Sequence, residues 1–92
     1  MGRAEISWKG RNEEGVKREV YVKHTGDKWL FYERERRNDV WQAIAEPALE
    51  DWFELLDGIR RRINRRLLQP EDEHQVKRLI KEQYPEAKIP KG

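Results

Sequence analysis

The sequence predicts an α+β protein: a four-stranded antiparallel meander followed by two helices packed on one face of the sheet, in the order ββββαα. Three observations carry this. Apolar residues alternate with polar ones before Pro47, they recur at helical steps of three and four after it, and turn-forming dipeptides separate the segments of the first half. A run of strands followed by a run of helices is the pattern of sheets whose helices are segregated to one side.

The first strand is read at about residues 4–9, where Ile6 and Trp8 alternate with Glu5, Ser7 and Lys9, and the turn-rich "GRNEEG" follows it. In the second, about 16–24, Val16, Val20 and Val22 alternate with Lys17, Glu19, Tyr21 and Lys23. It ends at "HTGDK", where Gly26-Asp27 suits a type II′ hairpin. The third, about 28–36, is apolar on both faces around Leu30 and Phe31, as a central strand is. Asn38-Asp39 then turns into a fourth strand at 40–44, "VWQAI".

From Pro47 onward Leu49, Trp52, Phe53, Leu56, Ile59, Ile63 and Leu67 fall on one stripe, which predicts a helix over about 47–67. Gln69-Pro70 interrupts it. Pro70 in a first turn, with Glu71, Asp72 and Glu73 behind it, starts a second helix over about 70–84 whose stripe is Val76, Leu79, Ile80 and Tyr84. Pro85 ends that helix, and residues 86–92 are expected to fray.

Ninety-two residues fit a single domain, 1–92. Charged residues at 41% outnumber hydrophobic ones at 36%, a balance close to disorder, but four Trp, three Tyr and two Phe bury enough area per residue to build a core. The 20 basic and 18 acidic side chains nearly cancel, so any attraction to a polyanion has to come from local segregation. No cysteine is present, which excludes disulfides, thiolate metal sites and a cysteine nucleophile. No apolar h-region opens the chain, no run reaches the length of a membrane span, and Ile6 stands where a myristoylation signal needs Ser or Thr. A cytoplasmic, non-membrane protein is expected.

The most conspicuous stretch is "IRRRINRRLL", residues 59–68, with five arginines in ten residues. Helical spacing puts Arg61, Arg62 and Arg65 on the solvated face, with Arg60 and Arg66 on its flanks. The same helix begins with Glu46, Glu50, Asp51, Glu54 and Asp57, a distribution that complements the helix dipole at both ends. Asp57 and Arg61 form a favourable i,i+4 pair, and three acids begin at 71. Residues 41–92 carry ten basic and ten acidic side chains, so the run reads as a well-balanced solvated helix end.

The strands hold a quieter pattern. With either Thr25-Gly26 or Gly26-Asp27 as the two-residue loop, Val20, Val22, Trp29 and Phe31 share one face, and a two-residue loop at 38–39 adds Val40 and Ile44 to it. The other face then displays Lys17, Lys23, Lys28, Arg34 and Arg36 among Tyr21, Leu30, Tyr32 and Trp41, with Glu19 as the only acid on strands two to four. Rings of this kind stack on unpaired bases while cations follow the phosphates, so Lys17, Tyr21, Lys23, Lys28, Tyr32, Arg34, Arg36 and Trp41 are candidate residues for binding single-stranded nucleic acid. Two other readings stand beside it. The exposed side of an antiparallel sheet is ordinarily polar, and the same rings also suit a protein partner or a homodimer.

In order of elements the strand-rich half and its helix, residues 4–67, resemble the single-stranded nucleic-acid-binding repeat of the Pur-type proteins. The second helix after Pro70 departs from that repeat, and the resemblance supplies no site residues. Catalysis has little material: Ser7 and Thr25 are the only hydroxyls besides tyrosine, and His24 and His74 the only imidazoles. Glu71 and His74 lack a third metal ligand, and Glu33 with Glu35 read as salt-bridge partners of Arg18 rather than an acid/base pair. A non-catalytic binding module without metal or cofactor is expected.

Overall fold

The computed structural model describes residues 6–11, 14–25, 28–35 and 40–89. The element order is β1 (Ile6–Arg11), β2 (Lys17–Thr25), β3 (Lys28–Glu35), β4 (Gln42–Ile44), α1 (Leu49–Asn64) and α2 (Pro70–Gln83), an α+β fold. The strands form one antiparallel sheet in the order β1-β2-β3-β4, the predicted meander. By contacts the chain falls into two compact units, residues 1–46 and 47–92, divided where the apolar period changes.

In the strand unit, Thr25 pairs with Lys28 and Val22 with Phe31, so two residues separate β2 from β3, as the Gly26-Asp27 reading requires. Those two residues themselves lie outside the described set. Ile6, Val20, Val22, Trp29 and Phe31 are all buried and share the inner face by register. On this face Trp8 meets Phe31 edge-on at 6.3 Å, and His24 stacks on Trp29 at 3.8 Å. Arg18 holds Glu33 through two hydrogen bonds, 2.8 and 3.0 Å, to the same carboxylate oxygen, which makes the Glu33 side a structural ion pair.

The β3–β4 register corrects the sequence reading without changing the faces. Phe31 pairs with Ile44 and Glu33 with Gln42, whereas a two-residue loop at 38–39 would put Glu33 opposite Ile44. The shift is of two residues, and an even shift preserves which side each residue faces. Val40 is the casualty: it precedes β4, is 67% exposed, and does not join the buried face. The Asn38-Asp39 turn lies outside the described residues.

In the helical unit α1 packs against α2, and Trp52, Leu55, Leu56, Ile59, Val76 and Ile80 are buried. The predicted stripe is therefore displaced toward Leu55, while Leu49, Phe53 and Ile63 are only half-buried. Helix α1 ends at Asn64, three residues before the predicted limit. The chain leaves it through a crossed pair of hydrogen bonds, Leu67 N–H to Arg62 O at 2.8 Å and Arg66 N–H to Ile63 O at 2.9 Å, with Arg66 at φ +62°. This is the Schellman arrangement, in which the left-handed position is ordinarily glycine. Leu67 consequently leaves the stripe and is 63% exposed. Arg66→Gly removes the steric cost of that conformation and is expected to stabilise the protein by about 0.5–1 kcal/mol, offset in part by the added freedom of glycine when unfolded. A urea midpoint below wild type would contradict this.

Helix α2 starts at Pro70 with the Asp72 carboxylate accepting the Gln69 N–H at 3.0 Å. Beyond it, within the tail expected to fray, Ala87 is anchored. Ala87 is 9% exposed, its N–H donates to Tyr84 O at 2.9 Å, and its carbonyl accepts from Lys81 Nζ at 2.8 Å. The Tyr84 hydroxyl donates to Pro47 O at 2.8 Å, tying the end of α2 to the chain two residues before α1. Residues 90–92 lie outside the described set.

Candidate functional site

The outer face of the sheet is built by register. Ser7 pairs with Tyr21, Lys9 with Glu19 and Arg11 with Lys17 between β1 and β2. Tyr21 pairs with Tyr32, Glu19 with Arg34, Lys23 with Leu30 and Thr25 with Lys28 between β2 and β3. Directly opposed residues share a face, so all of these stand together. Arg36 lies outside the described residues; the other seven predicted site residues fall on this side, with Trp41 just ahead of β4.

The rings do not stand as separate platforms. Tyr21 and Tyr32 stack on one another, centroids 5.0 Å apart and 18° from parallel, and Trp41 meets Tyr21 edge-on at 4.8 Å. The Arg34 guanidinium lies 4.9 Å from the centre of the Trp41 ring. Its Nε also donates to Glu19 at 3.1 Å, and Lys9 Nζ lies 3.9 Å from the other oxygen of that carboxylate. Trp41 remains 37% exposed, Tyr21 and Tyr32 are half-buried, and Lys17, Lys23 and Lys28 are exposed. Of the three rings, Trp41 is the most accessible to a ligand.

Charge is segregated on this side. Lys9, Arg11, Lys17, Lys23, Lys28 and Arg34 face one carboxylate, Glu19, among the described strand residues. Arg11 opposite Lys17 is a like-charge cross-strand pair, with the Arg11 guanidinium donating to Gly15 O at 2.9 Å. Sequence reasoning missed Ser7, Lys9 and Arg11. The alternation of Ile6 and Trp8 with Ser7 and Lys9 was the available signal, but the length of the β1–β2 connection was not legible, so the residues of β1 were not assigned to a face of the meander.

An open cleft of about 530 Å³ lies on the β1–β2 side, lined by Ser7, Lys9, Glu19, Tyr21, Lys23 and Trp41, with Trp8 and Val20 also contributing. Its shape follows from side-chain size: the small Ser7 stands opposite Tyr21, and Trp41 leans back to Tyr21, so tall rings border a low strand.

The arginine run is largely occupied within its own unit. Arg60 Nε donates to Glu73 on α2 at 2.8 Å, Arg61 meets Asp57 at 3.1 Å, and Arg62 donates to Gly58 O at 3.2 Å. The Arg60 hydrogen bond holds the Glu73 carboxyl below its ordinary range; partial burial opposes the shift, and Lys77 at 3.3 Å adds to it. A carboxyl with a depressed folded pKa stabilises above its unfolded pKa and loses that contribution as pH falls through the folded value. Glu73→Gln is therefore expected to cost about 1 kcal/mol at pH 7 and to approach wild type as pH falls below the ordinary carboxylate range, measured by urea midpoints. A gap that widens in acid would contradict the pairing.

Among the described residues no three His, Asp or Glu side chains gather to hold a metal, and no helix is long and apolar enough to cross a membrane. Fold and site together define an α+β protein with a cationic, aromatic sheet face. No protein-family model, curated protein or solved structure matches the chain, and the Pur-type resemblance stays one of element order.

Proposed function

We propose that this protein is a non-catalytic module that binds single-stranded nucleic acid on the outer face of its sheet. What carries the reading is segregation: in a chain of 20 basic and 18 acidic residues, the described residues gather six cations, one carboxylate and three aromatic rings on one side of the sheet. Phosphates compensate the like-charge pair of Arg11 and Lys17, and Trp41 offers a base a surface to lie against. A second reading, self-association through this face, is favoured by the exposure of Leu30 and Trp41, both 37%. A two-fold contact, however, sets the same surface against itself, and here it would oppose six cations to six.

The test is a comparison of two triple variants. Replacing Lys17, Lys23 and Lys28 with Gln is expected to weaken binding to a labelled single-stranded oligonucleotide and to flatten the slope of log affinity against log salt by about 2, since each phosphate contact on a single strand contributes about 0.7. Replacing Arg61, Arg62 and Arg65 with Gln is expected to leave both nearly unchanged. The opposite pattern would move the interface to α1.

A further inference from the structure

We infer that the β1–β2 cleft is a nucleotide subsite that prefers bases carrying an exocyclic amine, with Glu19 as the residue that sets the preference. This rests on the outer face being the nucleic-acid surface and adds to it a place and a chemical selectivity. The cleft encloses about 530 Å³, within the range of about 300–1,000 Å³ usual for small-ligand sites, so one nucleotide of a strand fits it. Because Tyr21 and Tyr32 are stacked on each other, the faces they share are closed to a base. A base entering the cleft instead lies against Trp41 with its edge toward β2, where Glu19 stands. Lys9 and Lys23 at the rim are the counter-charges for the flanking phosphates.

Glu19 is the only acid among the described strand residues of this face, and its carboxylate lines the cleft. It is held in place by Arg34, whose Nε and Nη2 both donate to one carboxylate oxygen, at 3.1 and 2.5 Å, and its other oxygen, 3.9 Å from Lys9 Nζ, is the acceptor assigned to the base N–H. An amino group such as cytosine N4 supplies one. Thymine and uracil turn carbonyl oxygens toward the carboxylate on either side of their single ring N–H, and those oxygens are repelled. The nucleotide subsite thus discriminates by hydrogen-bond polarity, whereas stacking accepts every base.

The experiment compares oligo-dC with oligo-dT of equal length, two pyrimidine strands with the same backbone charge, by anisotropy at fixed salt and pH 7.5. Wild type is expected to bind oligo-dC about fivefold more tightly, the factor that a net hydrogen bond of about 1 kcal/mol gives. In Glu19→Gln the amide oxygen takes over the Arg34 contact and the amide N–H is free to turn to the cleft, so the ratio is expected to fall to one or invert while oligo-dT affinity holds or rises. Ser7→Phe fills the cleft floor from an exposed position that does not threaten the core, and is expected to remove the preference as well. Equal binding of the two strands by wild type, or a ratio unchanged in both variants, overturns the subsite and leaves the face reading standing. Failure of wild type to bind either strand overturns the face reading itself.

Discussion

Leu55→Ala is expected to destabilise the helical unit by about 2–5 kcal/mol, the usual cost of emptying a buried leucine site that cannot collapse fully. Leu55 is 0% exposed on α1, one turn from Trp52 at 3% and Ile59 at 0%. Domains are stable by about 5–15 kcal/mol in all, so the loss is a large fraction of what is available. Trp52→Ala and Leu56→Ala belong to the same class. Phe53, half-buried on the flank, serves as the control: Phe53→Ala is expected to cost about 1–2 kcal/mol because only part of its ring area leaves water on folding. Chemical denaturation followed by circular dichroism ranks them. A Phe53→Ala loss larger than that of Leu55→Ala would place the buried stripe on the wrong side of α1.

Trp41→Ala carries the largest expected effect on binding. Loss of one base-stacking ring weakens single-strand affinity by about 1–3 kcal/mol, roughly five- to 150-fold. The ring packs edge-on to Tyr21 and under Arg34, so its removal also costs about 1–2 kcal/mol of stability, which leaves the sheet folded. Tyr32→Ala is expected to affect binding less, because its ring is already stacked on Tyr21. Intrinsic fluorescence separates the contributions: Trp29 and Trp52 are 7% and 3% exposed, so a ligand-induced change should arise from Trp41 together with the half-buried Trp8, which also lines the cleft, and Trp41→Ala should remove much of it. A Trp41→Ala variant that keeps the full fluorescence change would contradict the placement of the ligand.

How much of this was legible in the sequence depends on parity. Alternation fixes which residues share a face within a strand, and the two-residue β2–β3 turn carries that parity from Tyr21 to Tyr32. Trp41 was assigned correctly although the β3–β4 register was misjudged, because the error was even. Arg11 was missed because the turn-rich "GRNEEG" reads as loop from residue 10, whereas β1 continues to Arg11 and the connection spans 12–16, with Gly15 at φ +80°. The end of α1 was illegible for a different reason. The left-handed position that stops the helix is occupied by Arg66, where the sequence signal would have been glycine. The stacking of Tyr21 on Tyr32 and the reach of Trp41 back to Tyr21 depend on side-chain rotamers, which no period in the sequence encodes.

The central claim is that the outer sheet face takes up unpaired bases, and a titration of wild-type protein with single-stranded and duplex oligonucleotides of equal length tests it most directly. At low salt the single strand is expected to bind saturably with a change in tryptophan fluorescence, and to weaken steeply as salt rises toward physiological strength. Duplex should bind less tightly, since its bases are already stacked and do not reach a flat sheet. No binding of the single strand at low salt, or duplex bound as tightly and with the same fluorescence change, would contradict the account.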